Sequence, residues 1–445
     1  MAGGTWTTQN KIIPGVYIRF SSVADTGLDI GERGTVAICE PMSWGPVGQV
    51  MEVESGANTT PFCGYDITSP NANFLRQIFL GTNRTAGANK VLLYRPSATS
   101  SAEATATLGA LTATAKYVGA RGNDITIIVT ADADDEGSFI VSTVVDGQIV
   151  DTQTGETVED LVANDWVTFS GTGALTASTG QALTNGADGT VQATAYTTFL
   201  ENIEPYKFDI LIYDGTDSTV QSAMISFVER LANDNGQYSQ LVAANLATAD
   251  SRFVINVTGG LTLADGTVLT APQTCWWVGG AEAGCPYNET LTYAQHPESV
   301  SVSPVLTNSQ IETAIKSGQL IMAGEFDAVH IVTDINSLTT YTTNIGKVFH
   351  KNRVMRLCNT IANDLYRQFS ENYIGVVNNN EAGRSLFQAA IVGYLLDIQA
   401  NNGIQNFEAE DVQVLPGDDI DAILVNIAIQ PVDSVEKIYL AIELS

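Results

Sequence analysis

The sequence predicts a mixed α/β plus β fold, and three observations carry that prediction. Apolar strand runs alternate with amphipathic helical runs through much of the chain, the pattern of parallel βαβ units. Residues 97–191 break that pattern with alternating strands, small residues and tight turns. Two long helices and a β-rich tail then close the chain.

The elements follow in order. Residues 1–20 read as an extended arm: Pro14-Gly15 forbids helix, and Val16, Ile18 and Phe20 alternate as in a strand. Residues 21–96 carry short strands at Thr35–Cys39 and Lys90–Arg95 and a helix at Ala72–Leu80. In the segment 97–191, strands at Asp124–Thr130 and Ser138–Val145 and the turn pairs Asp146-Gly147, Asn185-Gly186 and Asp188-Gly189 describe an inserted β module. Residues 192–340 resume the α/β pattern. Strand Phe208–Asp214, helix Ser218–Asn233 and strand Leu241–Asn245 form a βαβ unit, with Val220, Met224, Phe227, Val228 and Leu231 at helical spacing. A helix at Ser309–Ser317 and strands Leu320–Ala323 and Ala328–Val332 complete that segment.

Residues 341–434 form an α+β end piece. In the helix Lys351–Tyr373, Val354, Leu357, Cys358, Ile361, Leu365 and Phe369 fall on one apolar arc. Arg353, Arg356 and Arg367 fall together on a neighbouring face. The helix Glu381–Ala400 is apolar on nearly every side and is expected to be buried; Asn401-Asn-Gly ends it. Strand runs follow at Val412–Leu415, Ala422–Pro431 and Lys437–Leu444. The last of these, within the arm 435–445, has nothing after it to cover its edge.

Composition narrows the function. The 445 residues hold 20 Lys and Arg against 49 Asp and Glu, a formal charge of −29, so a nucleic-acid partner is disfavoured. No apolar run approaches the ~18 residues of a membrane span. The first residues lack the basic start and apolar stretch of a signal peptide. Five scattered cysteines with no CxxC pair read as free thiols of a reducing cytoplasm.

Catalytic chemistry is poorly supported. Of three histidines, His330 sits inside a strand, His296 precedes a proline and His350 abuts the basic helix; none has a partner at helical metal spacing. There is no Gly-x-Ser-x-Gly elbow and no phosphate loop. Asp132-Ala-Asp-Asp-Glu-Gly begins like a calcium loop, but position 12 is Thr143 where a bidentate Glu is needed, so an acidic turn is the better reading. Trp276-Trp277 reads as core. No cofactor or metal is expected. The positive signals are the run Tyr341–Arg384, with six bases against three acids in an acidic protein, and the two strand-like ends.

Particular motifs then point to a family. Met1-Ala-Gly-Gly-Thr-Trp, Ile13-Pro-Gly-Val-Tyr-Ile, Lys116-Tyr-Val-Gly-Ala-Arg-Gly-Asn-Asp-Ile and Asp334-Ile-Asn-Ser-Leu-Thr-Thr are joined by Lys351-Asn-Arg-Val-Met-Arg, Ile361-Ala-Asn-Asp, Tyr373-Ile-Gly and Gln430-Pro-Val-Asp-Ser-Val-Glu-Lys-Ile-Tyr. Together they resemble the contractile tail sheath proteins of bacteriophages and phage-tail-like bacteriocins, of the Bacillus and Clostridium type.

The resemblance implies a discontinuous subtilisin-like α/β sheath domain without protease function. It also implies an outward-facing inserted β-sandwich or barrel-like domain, and an inner α+β C-terminal domain with extended N- and C-terminal arms. Subunits would stack as hexameric rings around an inner tail tube, assemble in the bacterial cytoplasm, and work with baseplate and tail-terminator proteins in a virion or released particle. Carried onto this chain, the strand donors are Ile13, Val16 and Ile18 and then Ile438, Leu440 and Ile442. The acceptors are Val412, Val414, Leu424 and Asn426. The tube-facing residues are Lys351, Arg353, Arg356 and Arg367. Rival readings are an acidic β-rich surface-layer or adhesin-type protein, which would need export, and a subtilisin-fold hydrolase, which would need a nucleophile and base.

Overall fold

The computed structural model describes residues 2–4 and 15–17 as backbone, then 28, 30–325 and 328–443. The chain divides into two compact units, Glu32–Asn363 with Val432–Ser445 and Met1–Gly31 with Asp364–Pro431.

The first unit is built on an eight-stranded sheet. In spatial order its strands are Ala328–Ile331, Gln319–Glu325, Val254–Thr258, Gln240–Ala244, Ile210–Tyr213, Thr35–Cys39, Lys90–Tyr94 and Val50–Glu54. The six inner strands are parallel and the two edge strands antiparallel. Parallel strands buried on both faces need apolar residues in both alternating sets, and these have them. Val36, Ile38, Ile210, Ile212, Val242 and Ala244 face one core; Ala37, Cys39, Leu211, Tyr213, Leu241 and Ala243 face the other. Each fully buried Val, Leu or Ile contributes about 1.5–3 kcal/mol, so the sheet dominates this unit's stability.

Helices Ala193–Ile203 and Ser218–Asp234 cover the second core, with Asp217 capping the latter through the amides of Thr219 and Val220. Asn73–Leu80 and Ala271–Gly284 cover the first. The helix Ala271–Gly284 has no polar face, so periodicity does not announce it; a Thr270/Gln273 capping box starts it. Its glycines let it lie close to its neighbours. A Cβ at Gly280 would stand 2.0 Å from the Ile78 carbonyl oxygen, and one at Gly279 would strike Ile212. Trp276 and Trp277 lie in this helix as core residues, as the sequence suggests.

The β module enters and leaves through one antiparallel pair, Ala98–Thr99 with Thr190–Val191. Beyond it, a four-stranded sheet (Gln148–Gly155, Phe139–Val145, Ile125–Ala131, Ser178–Ala182) and a three-stranded sheet (Val167–Ser170, Leu111–Ala115, Thr105–Leu108) enclose their own apolar core. Asp146 and Gly147, with φ of 52° and 75°, make the two-residue hairpin turn expected of an Asp-Gly pair. Trp44 of the α/β domain is buried in this core against Trp166, centroids 4.9 Å apart. Arg121 ties the same junction. Its guanidinium holds Asp146 through two nitrogens at 2.8 and 2.6 Å, donates to the Gly64 carbonyl at 3.0 Å and covers the Tyr65 ring.

In the second unit, helix Glu381–Ala400 packs Phe387, Ile391, Tyr394, Leu395 and Ile398 inward. Complete burial does not hold: Leu386 and Leu396, on the opposite face, are about half exposed. Hairpin Val412–Pro416 with Ile423–Ile427 and the short pair Ile404–Gln405 with Gln430–Pro431 complete it. Ala2–Gly4 runs parallel to Gly15–Tyr17.

Candidate assembly surfaces

The helix that sequence spacing places at Lys351–Tyr373 spans Asn352–Asn372. Its root is held by buried polar groups. Asn352 donates to Glu282 at 3.1 Å and accepts from Gln240 at 3.3 Å; Asn363 exchanges two hydrogen bonds with the Tyr238 backbone at 3.0 and 2.8 Å. Between them lies Arg356, expected on a tube-facing surface and instead fully buried. It bonds Asp334 at 2.7 Å, the Glu289 carbonyl at 2.8 Å, and Glu282.

The electrostatics of this cluster follow from two acids sharing one base. Burial pushes Glu282 well above the usual carboxylate range, and the Asp334 charge adds to that push. Burial also raises Asp334, but the Arg356 charge and hydrogen bonds from Glu282 and the Leu291 amide outweigh it and hold it at about 2.

Of the other expected tube contacts, Arg353 is also buried, and burial lowers its pKa against the pull of Asp433. Lys351 pairs with Glu436 of the chain end. Only Arg367 is open, about half exposed, with Asp364 at 3.4 Å. A helical wheel puts these arginines on one face; it carries no trace of Glu282 and Asp334, which reach that face from distant segments. Asp334 lies in a motif that drew the resemblance, so that motif marks a structural pin.

Of the expected strand donors, Ile13 and Ile18 lie outside the described residues, and Val16 pairs with Gly3. Ile438, Leu440 and Ile442 lie in an extended stretch without a strand partner among the described residues, 75–82% exposed. Just before it, Glu436 is anchored: Thr292 Oγ1 donates to Oε1 at 2.8 Å, and Lys351 to Oε2. The expected acceptors Val412, Val414, Leu424 and Asn426 all lie in the hairpin. There Val412 pairs with Ile427, Val414 with Val425, Leu424 with Leu415 and Asn426 with Gln413. Each strand of this hairpin pairs only with the other among the described residues, so each keeps one backbone edge without a ladder.

The histidines serve packing. His296 bonds Gln77 at 2.9 Å, accepts from the Glu298 amide at 3.1 Å and lies against Trp277; burial lowers its pKa to about 4. His330 stacks on Tyr293. Glu40 and Asp214 flank the reversal of strand order, where open α/β sheets bind ligands; burial raises both carboxyls, and Trp276 donates to Asp214 at 2.9 Å. Asp132 accepts from the Asp134 amide at 3.0 Å, an acidic turn as read. No group of three or more His, Cys, Asp or Glu among the described residues could hold a metal, and no helix among them is long and apolar enough to cross a membrane. Four cysteines are buried and Cys358 partly so, all of them free.

With this doubly wound sheet and inserted sandwich, the chain belongs to the phage tail sheath proteins. Family models match in succession: the tail sheath Gp18 domain III N-terminal region at 33–95, the phage tail sheath beta-sandwich domain at 98–188, the central domain at 189–337 and the C-terminal domain at 346–445. The phage-like element PBSX protein XkdK of Bacillus subtilis is 33% identical over the whole of both chains. A solved sheath tail protein of Desulfitobacterium hafniense is 40% identical with a TM-score of 0.87, covering 96% of this chain and 99% of that one. The anti-feeding prophage helical sheath in its contracted state, 13% identical, shares the fold at a TM-score of 0.58 over 98% of this chain and 100% of its own.

Proposed function

We propose that the protein is a contractile sheath subunit that polymerises as stacked hexameric rings around an inner tail tube. Its role is structural and not enzymatic, and its α/β domain is a subtilisin-like fold put to scaffold use. The observation that carries this is the exposed, largely apolar stretch 437–443, on a chain matched along its length by a sheath protein. An unpaired strand is unstable in water, and an open hairpin edge accepts one. The C-terminal arm, with the N-terminal segment Lys11–Phe20, adds strands to the hairpins of neighbouring copies. A spliced strand of about eight residues spans roughly 25 Å, with ~0.5–1.5 kcal/mol net from each hydrogen bond.

The tube contact narrows to the far end of the helix Asn352–Asn372, around Arg367, because Lys351, Arg353 and Arg356 are committed within the subunit. Baseplate and tail-terminator proteins bound the polymer. Contraction draws its work from the difference between two packings of the same interfaces, with the strand splices keeping neighbours joined; nucleotide, metal and cofactor are not required. Assembly takes place in the cytoplasm of the producing bacterium, and the sheath then acts in a virion or a released tail-like particle.

Negative-stain electron microscopy of the purified protein, alone and co-expressed with an inner tube protein, tests this reading. Striated hollow cylinders are expected. Dispersed subunits under both conditions would overturn it.

A further inference from the structure

We infer that Glu436 is a positioning residue that fixes where, and in what register, the C-terminal arm leaves the subunit. The inference rests on the reading of that arm as a donated strand. A hairpin sets strand register by its turn, but a donated strand has no turn. Something else must set its first residue, since a slip of one place would turn Lys437, Tyr439 and Ala441 toward the acceptor's core in place of Ile438, Leu440 and Ile442.

Glu436 has the required geometry. Both carboxylate oxygens are engaged, Oε1 by Thr292 at 2.8 Å and Oε2 by Lys351, and both charged side chains are largely shielded from water. The anchors are themselves fixed. Thr292 Oγ1 accepts from the Asp334 amide at 2.9 Å, and the Lys351 backbone bridges to Ile335. Asp334 is the partner of Arg356, so the arm's root shares a hydrogen-bonded path with the buried cluster under the long helix. Immediately beyond Glu436, residues 437–443 are all exposed. The anchored segment ends and the free segment begins within one residue. An extended chain advances about 3.3 Å per residue, so this anchor also sets the distance at which a neighbour can be reached.

The test compares wild type, Glu436→Gln, the exchange Lys351→Glu with Glu436→Lys, and a chain lacking Lys437–Ser445, as full subunits mixed with inner tube protein. Two quantities are read: the melting temperature of the dispersed subunit, and the concentration at which sheath forms. Glu436→Gln is expected to melt within about 2 °C of wild type yet need about tenfold more protein to assemble. The exchange should recover assembly to within about threefold, which loss of packing alone would not explain. The inference is overturned if Glu436→Gln assembles like wild type, if the exchange recovers nothing, or if Glu436→Gln melts much lower and so marks a core contact. Assembly by the truncated chain would instead overturn the donated-strand reading itself.

Discussion

Arg356 Nη2 and Asp334 Oδ2 meet at 2.7 Å with neither side chain exposed to water, and a second acid, Glu282, closes on the same guanidinium. The pair converts what a helical wheel shows as a basic surface into the socket from which the long helix springs. Removing one member of a buried ion pair strands the rest, at a cost of about 3–5 kcal/mol. Arg356→Ala is therefore expected to lower unfolding free energy by about that amount in urea titration. Arg356→Glu should yield no folded subunit.

Glu282 gives this cluster a pH signature. Its folded pKa is raised, so the folded state holds a proton the unfolded chain gives up above about 4.5. Its contribution is complete below that pH and declines as pH rises toward the folded value. Glu282→Gln keeps the hydrogen bonds without the proton, and should flatten the decline in denaturation midpoint between mildly acid and alkaline buffer.

His296 acts at the other end of the scale. With a folded pKa of about 4 against 6.5 unfolded, it stays neutral while the unfolded chain takes up a proton. Stability falls as pH drops from 6.5 toward 4, by about 2 kcal/mol at pH 5. A His296→Gln chain should lose correspondingly less stability than wild type between pH 7 and pH 5, measured by urea unfolding at both.

Two glycines in helices should answer alanine in opposite directions. At Gly280 the new methyl would meet the Ile78 backbone, which cannot yield, so Gly280→Ala should cost ~1–3 kcal/mol. At Gly393 nothing lies within 4 Å, and Gly393→Ala should add ~0.5–1 kcal/mol through helix propensity and the unfolded state. Thermal melts of the dispersed subunits decide both.

Arg367 is the expected tube contact still open to solvent, so charge reversal there tests the interface without touching the core. Arg367→Glu should fold normally, with a melting temperature within ~2 °C of wild type, and fail to co-sediment with inner tube protein. Undiminished co-sedimentation would place the tube contact elsewhere.

Local rules made much of the fold legible. The spacing of Val220, Met224, Phe227, Val228 and Leu231 gave its helix to within a residue, and Asp146-Gly147 fixed a hairpin, because both signals act within a few residues. The helix Ala271–Gly284 escaped because it is enclosed on every side and so has no stripe to detect. Arg353 and Arg356, expected at the surface, are buried for a different reason. Whether a charge faces water depends on where the opposite charge arrives in space; Glu282 stands 74 residues before Arg356, and Asp334 22. The apolar run at the C-terminal end is a local signal too, and residues 437–443 are exposed, with no strand partner among the described residues.

The inserted sandwich has its own apolar core and is threaded through a single two-stranded neck, Ala98–Thr99 with Thr190–Val191. Its sequence can therefore drift, lengthen or be exchanged for a foreign module while the host sheet keeps its strand order, provided the neck and the socket for Trp44 and Arg121 are kept. The neck is a natural graft point: a foreign module joined there would leave the connectivity of the host sheet unchanged.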